Sequence, residues 1–176
     1  MKGSFTAAAI AAALLSAACS EPISTTGPSS VRPANPGTPA AAAQPLPFKG
    51  RLEGSQTLTP LQPPFGAVNG SADGTATHLG HFTVVFPHTV NFATRTGVGT
   101  YTFTAADGDT LTAAFTGQAQ GGPLVSIEEH ATITGGTGRF EGATGTFVVQ
   151  RNFNQATGRT DGSFEGTISS VGAGQQ

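Results

Sequence analysis

The chain has 176 residues and a mass of 17.6 kDa, with 10% charged residues, a formal net charge of -2 and a single Cys. That size allows one ordinary domain and excludes two large ones. The charge balance lacks the basic field that nucleic-acid binding needs, and one Cys forms neither an internal disulfide framework nor a cysteine-rich metal cluster.

The N-terminus reads as a processing signal. Met1-Lys2 supplies a short positive region, and Phe5 to Leu15 is mostly Ala, Ile and Leu. That apolar run is too short for a membrane-spanning helix. It ends at Leu15-Ser16-Ala17-Ala18-Cys19, where small residues precede the thiol. The arrangement resembles a bacterial lipoprotein signal. The resemblance implies cleavage after residue 18, lipidation of Cys19 and attachment to membrane lipid. Ser20 rather than Asp after the Cys favours the outer membrane by the same resemblance. Two or three acyl chains would make the anchorage firm.

Residues 19–47 read as the lipidated Cys followed by a disordered tether. Seven of the twelve prolines fall between Glu21 and Pro47, among Ala, Ser, Thr and Gly. Pro withholds backbone donors and favours extended chain, so this stretch lacks the means to build a core. Residues 48–171 are expected to form the folded domain, and 172–176 a flexible tail.

Within 48–171 the pattern is period two, the signature of strands. Phe48, Gly50, Leu52, Gly54 and Leu58 share one phase. His78, Gly80, Phe82, Val84 and Phe86 form a second row, and Val90 and Phe92 a short third. Tyr101, Phe103 and Ala105 lead through an Asp107-Gly108 turn to Leu111, Ala113 and Phe115. Val125, Ile127, Ala131 and Ile133 form the sixth row, Phe147, Val149 and Phe153 the seventh, and Phe164 and Ile168 the eighth. Asp73-Gly74 reads as another turn. Eight antiparallel strands predict an all-β barrel, since closure removes exposed edges. Thr and charged residues on the outward phases argue against a barrel embedded in lipid.

The stretch Ile133-Thr134-Gly135-Gly136-Thr137-Gly138-Arg139-Phe140-Glu141-Gly142-Ala143-Thr144-Gly145 resembles a Gly-Gly-Thr-Gly-x-Phe-x-x-Ala-x-Gly motif. That motif belongs to the allene oxide cyclase and dirigent protein barrels, and uncharacterised bacterial members are closer still. Thr104 to Leu111 resembles their central hairpin. The resemblance implies an eight-stranded antiparallel barrel, often a homo-oligomer, with a cavity for a hydrophobic small molecule. The plant cyclase closes a ring from an epoxide, and dirigent proteins steer phenolic intermediates. Neither group's catalytic residues map one by one onto this chain. Gly135, Gly136, Gly138, Gly142 and Gly145 read as architecture, and Phe140 as a plug for one barrel end. A phosphate cradle would need a following Lys-Ser or Lys-Thr, which is absent.

Three polar residues interrupt the apolar phases. Glu129 is in phase with Ile127 and Ala131, Arg151 with Val149 and Phe153, and His78 with Phe82 and Val84. Inside a barrel such groups need partners. One reading is a polar patch that orients a largely apolar ligand, with Glu129 or His78 accepting a proton and Arg151 facing an anion. The other is an internal ion-pair network, or residues at a wet barrel end. A hairpin centred on residues 135–142 sets Glu129 opposite a residue near Val148 and Arg151 opposite one near Ser126, so contact would need a diagonal reach by Arg151. Glu128, His130 and His81 fall outside without metal-ligand spacing, and the sequence points to no metal or cofactor. The leading expectation is an envelope lipoprotein that binds a small hydrophobic or amphipathic ligand. The alternatives are a cyclase or isomerase using the same cavity, and a structural or protein-interaction lipoprotein.

Overall fold

A computed structural model describes residues 44–170. Cys19, the signal and most of the tether lie outside the described residues, as does the tail. The strands are β1 (Leu46–Pro60), β2 (Phe65–Ala76), β3 (Gly80–Val85), β4 (His88–Asn91), β5 (Thr96–Ala105), β6 (Thr110–Gln120), β7 (Leu124–Gly136), β8 (Thr144–Asn154) and β9 (Arg159–Ser169). A 3-10 turn at Gly138–Phe140 joins β7 to β8.

All pairings are antiparallel, in the order β1-β9-β8-β7-β6-β5-β3-β2, and β1 pairs back to β2 to close the ring. β3 and β4 together occupy one position in the wall. β2 pairs with β3 through Ser71–Ala76 and with β4 through Phe65–Val68. β5 does the same on the other side. Nine segments therefore make eight staves, the expected barrel, with one stave interrupted at Phe86-Pro87.

The expected count of eight hid two errors that cancel. Val90 and Phe92 do not begin a separate stave, because β4 continues the line of β3. β2 was not foreseen, and Asp73-Gly74 lies inside it instead of forming a turn. The physical reason is visible on its inner face, which is Gly66, Val68, Gly70, Ala72, Gly74 and Ala76. A Cβ at Gly70 would stand 1.9 Å from Phe86 Cε2, and one at Gly74 2.8 Å from Phe82 Cζ. The apolar bulk that covers β2 comes from the neighbouring stave, so β2 has almost no hydrophobic period of its own.

The interior is filled in layers along the barrel axis. Phe48, Phe82, Phe103, Phe147 and Phe164 pack ring to ring, with centroids 5.0 Å apart for Phe48–Phe164 and 5.2 Å for Phe82–Phe103. Offset and edge contacts of this kind add to the burial of apolar area. Tyr101, Phe115 and Phe86 form the next layer, with Tyr101 and Phe115 at 4.5 Å.

One end of the barrel is closed by the Gly-rich motif. Thr137 N–H donates to the Thr110 carbonyl at 2.8 Å, and Thr110 N–H donates to Thr137 Oγ1 at 3.0 Å. Arg139 pairs with Asp107, and its backbone N–H donates to Asp109 Oδ2 at 3.0 Å. The motif and the β5–β6 hairpin, distant in sequence, thus dock on one another. Phe140 is fully buried beneath them.

Candidate functional site

The opposite end holds a cavity of about 320 Å³. Leu58, Val68, Val90, Phe92, Val125, Ile127 and Phe153 give it apolar sides. Gln56, His88, Glu129 and Arg151 line it from below, and Arg95 stands at the rim. The apolar sides are the inward phases of β1, β2, β4, β7 and β8 continued beyond the aromatic core. The core rings stop short of this end, and smaller residues leave the volume open.

Glu129 and Arg151 are each 1% exposed, so their charges must be satisfied internally. Arg151 Nη2 donates to Glu129 Oε1 at 2.6 Å and Nε donates to Oε2 at 3.2 Å. Arg151 Nη1 donates to Gln56 Oε1 at 2.6 Å and to Thr160 Oγ1 at 3.2 Å. Tyr101 donates its phenolic O–H to Glu129 Oε2. The guanidinium also lies over the Phe86 ring, 5.0 Å from its centroid. Burial, and then the Glu129 charge, hold the Tyr101 phenol well above its ordinary range. Burial works against the Arg151 charge, but the carboxylate outweighs it and the net direction is upward.

The register falls within one residue of the expected centre. Glu129 faces Val149, next to Val148, and Arg151 faces Ile127, next to Ser126. Directly opposed residues share a face of the sheet, so an inward Glu129 requires an inward partner, and Val148 points out. The pair does meet on the diagonal.

His78 does not join this group. It sits in the β2–β3 turn at the closed end, with φ +65, and its Nε2 lies 3.1 Å from the Pro47 carbonyl. β3 begins only at Gly80, so the alternation that would carry His78 inward is broken by the turn. Its phase is taken up at the other end of the stave by His88, which the sequence reading passed over. His88 Nδ1 lies 2.9 Å from the Phe86 carbonyl, and its ring stacks on Phe86 and meets Phe115 edge-on. Burial, opposed by that hydrogen bond, lowers its pKa from the ordinary 6.5, and the Arg151 charge lowers it further.

The inward carboxylate, guanidinium and imidazole each face a glycine across the ladder. Glu129 faces Gly117, Arg151 faces Gly162 and His88 faces Gly99. A Cβ at Gly117 would lie 2.8 Å from Glu129 Cγ, and one at Gly99 2.4 Å from His88 Cβ. These glycines are space for the polar group opposite, a signal the sequence carries only once the register is known. Tyr101, Gln56 and Thr160 were likewise missed as polar partners, although Tyr101 and Gln56 lie in correctly read inward phases.

Outside, Glu128 accepts from Gln150 at 2.6 Å and contacts His130 at 3.0 Å, and these bonds hold its carboxyl below the usual range. Among the described residues no group of three His, Cys, Asp or Glu side chains converges as a metal site.

No protein-family model and no curated protein matches the chain. Among solved structures it resembles a pterocarpan synthase dirigent protein, with a TM-score of 0.52 at 13% identity, covering 77% of this chain and 96% of that one. At that identity the likeness concerns the fold. The protein is thus an all-β, closed eight-staved antiparallel barrel with a dirigent-protein-like fold.

Proposed function

We propose that the barrel binds a small, largely apolar molecule at its open end, and that the chain is an envelope lipoprotein held by Cys19. The observation that carries the binding reading is the cavity of about 320 Å³ with apolar sides and a polar floor. Pockets for small ligands combine these features in this size range. The dirigent-like fold supports a cavity of this kind without identifying its occupant. The lipoprotein reading rests on the sequence from Met1 to Ser20.

The same geometry weighs against Glu129 as a proton acceptor and Arg151 as an anion stabiliser in a cyclase. Glu129 already receives donors from Tyr101 and Arg151, and Arg151 is occupied by Glu129, Gln56 and Thr160. Their roles are to floor the cavity and to tie β1, β7, β8 and β9 together beneath it.

Gly97 offers a direct test. It lines the cavity, and a Cβ there would meet nothing closer than 3.6 Å. Gly97→Leu should fill the space with little strain. Calorimetric titration with naphthol methyl ether is expected to show saturable binding to the wild type and none to the variant. Absence of saturable binding to the wild type would sink the cavity reading. Anchorage is tested by the mass of the protein from envelope extracts, where an acyl addition should disappear in Cys19→Ala.

A further inference from the structure

His88 is the polar residue at the cavity that the floor network leaves incompletely used. Its Nδ1 faces a backbone carbonyl, which only accepts, so Nδ1 carries the hydrogen. In the neutral ring, Nε2 is then a bare acceptor. Among the described residues no group hydrogen-bonds to Nε2. Its neighbouring ring carbon, Cδ2, lies 3.6 Å from where a Gly97 Cβ would stand, and Gly97 lines the cavity. The edge of the imidazole that bears Nε2 is therefore turned to the open space.

The charged groups around this ring are Arg151 and Glu129 below and Arg95 at the rim. Arg151 and Glu129 neutralise one another through two hydrogen bonds. Arg95 is exposed and reaches over Gly121, where water and salt weaken its field. The depth of the cavity thus presents no net charge and one unmatched acceptor.

We propose that His88 Nε2 selects the ligand, accepting a hydrogen bond from a neutral molecule that carries a hydroxyl group on an apolar body, such as a phenol or alcohol. This rests on the cavity being a binding site and adds the chemical class of what it takes. A bound hydroxyl also satisfies an acceptor that a methyl ether or hydrocarbon would bury unpaired, which is how a site built for a hydroxyl discriminates. Burial and Arg151 keep the ring neutral near pH 7, the form in which Nε2 accepts.

The test compares three probes of similar shape at neutral pH: naphthol, its methyl ether and naphthalene carboxylate. Naphthol should bind the wild type about tenfold more tightly than the ether, the scale of one well-made hydrogen bond to a buried acceptor. In His88→Phe that preference should vanish while the ether still binds. Nitrogen NMR of the wild-type imidazole gives a readout independent of any variant. The Nε2 resonance should move upfield with naphthol and stay in place with the ether. If both neutral probes bind equally, or if His88→Phe keeps the preference, the His88 assignment is wrong while the cavity stands. If the carboxylate binds best and loses its advantage in Arg95→Gln, the rim cation selects the ligand and the proposal is overturned. If no probe binds, the cavity reading fails and the assignment with it.

Discussion

Arg151 and Glu129 sit diagonally across β7 and β8, and that offset lets the guanidinium offer Nη2 to one carboxylate oxygen and Nε to the other, at 2.6 and 3.2 Å. A directly opposed pair would bring the side chains past one another. The diagonal instead lays the guanidinium along the floor, where Nη1 reaches Gln56 of β1 and Thr160 of β9. One side chain thereby links four staves beneath the cavity.

Removing one partner should be costly and removing both much less so. Arg151→Met leaves a buried carboxylate and should lose about 3–5 kcal/mol in urea unfolding. Adding Glu129→Leu should recover a large part of that loss. A double variant no more stable than Arg151→Met would show that the pair is not coupled as described.

Stability should fall at both pH extremes for identifiable reasons. The Tyr101 pKa is raised, so the unfolded phenol ionises first, near its ordinary value of about 10. Its contribution is present below that pH and is lost as pH rises through the elevated folded value. The His88 pKa is lowered from 6.5, so its contribution is full above 6.5 and declines as pH falls toward the lowered folded value. Thermal unfolding of His88→Phe across pH should show a shallower slope just below 6.5 than the wild type. Equal slopes would contradict the assignment.

Gly99 should resist substitution because of its partner. A Cβ there would meet His88 Cβ at 2.4 Å and the Pro87 carbonyl oxygen at 2.5 Å. Gly99→Ala should destabilise by about 1–3 kcal/mol and should change the His88 imidazole resonances. Gly97→Ala, two residues away, where a Cβ would meet nothing closer than 3.6 Å, should leave stability nearly unchanged.

The closing motif predicts an ordered pair of effects. Gly138 has φ +55, and a Cβ there would overlap Asp109 Oδ1 at 1.9 Å. Gly142 has φ +67 and nothing within 4 Å. Gly142→Ala should carry only the backbone strain of about 1 kcal/mol, and Gly138→Ala should cost more, read by denaturant midpoints. The reverse order would show that the Asp109 contact does not shape this turn.

The fold was legible where a strand carries its own apolar period. Phe48-Leu52, Phe82-Val84-Phe86 and Phe147-Val149 read correctly because the large side chains alternate in place. β2 was illegible because its inner glycines and alanines are covered by Phe82 and Phe86 of the next stave. Glu129 and Arg151 stood out by phase alone, and their pairing depended on a register that sequence fixed only to within one residue. His88 shares the phase of Phe82, Val84 and Phe86, yet Pro87 breaks the run before it and disguises that phase. His78 occupies the same phase on paper, but a turn residue has no inward side.

The central claim is that the open end is a binding site and the Gly-rich end is a plug. Amide chemical-shift mapping with naphthol tests it most directly. Saturable shifts are expected at Gly97, Gly117, Gly121 and Ile127, which line the cavity, and none at Gly142 or Gly145. Shifts at Gly142 and Gly145 with none at Gly97 and Ile127 would contradict it.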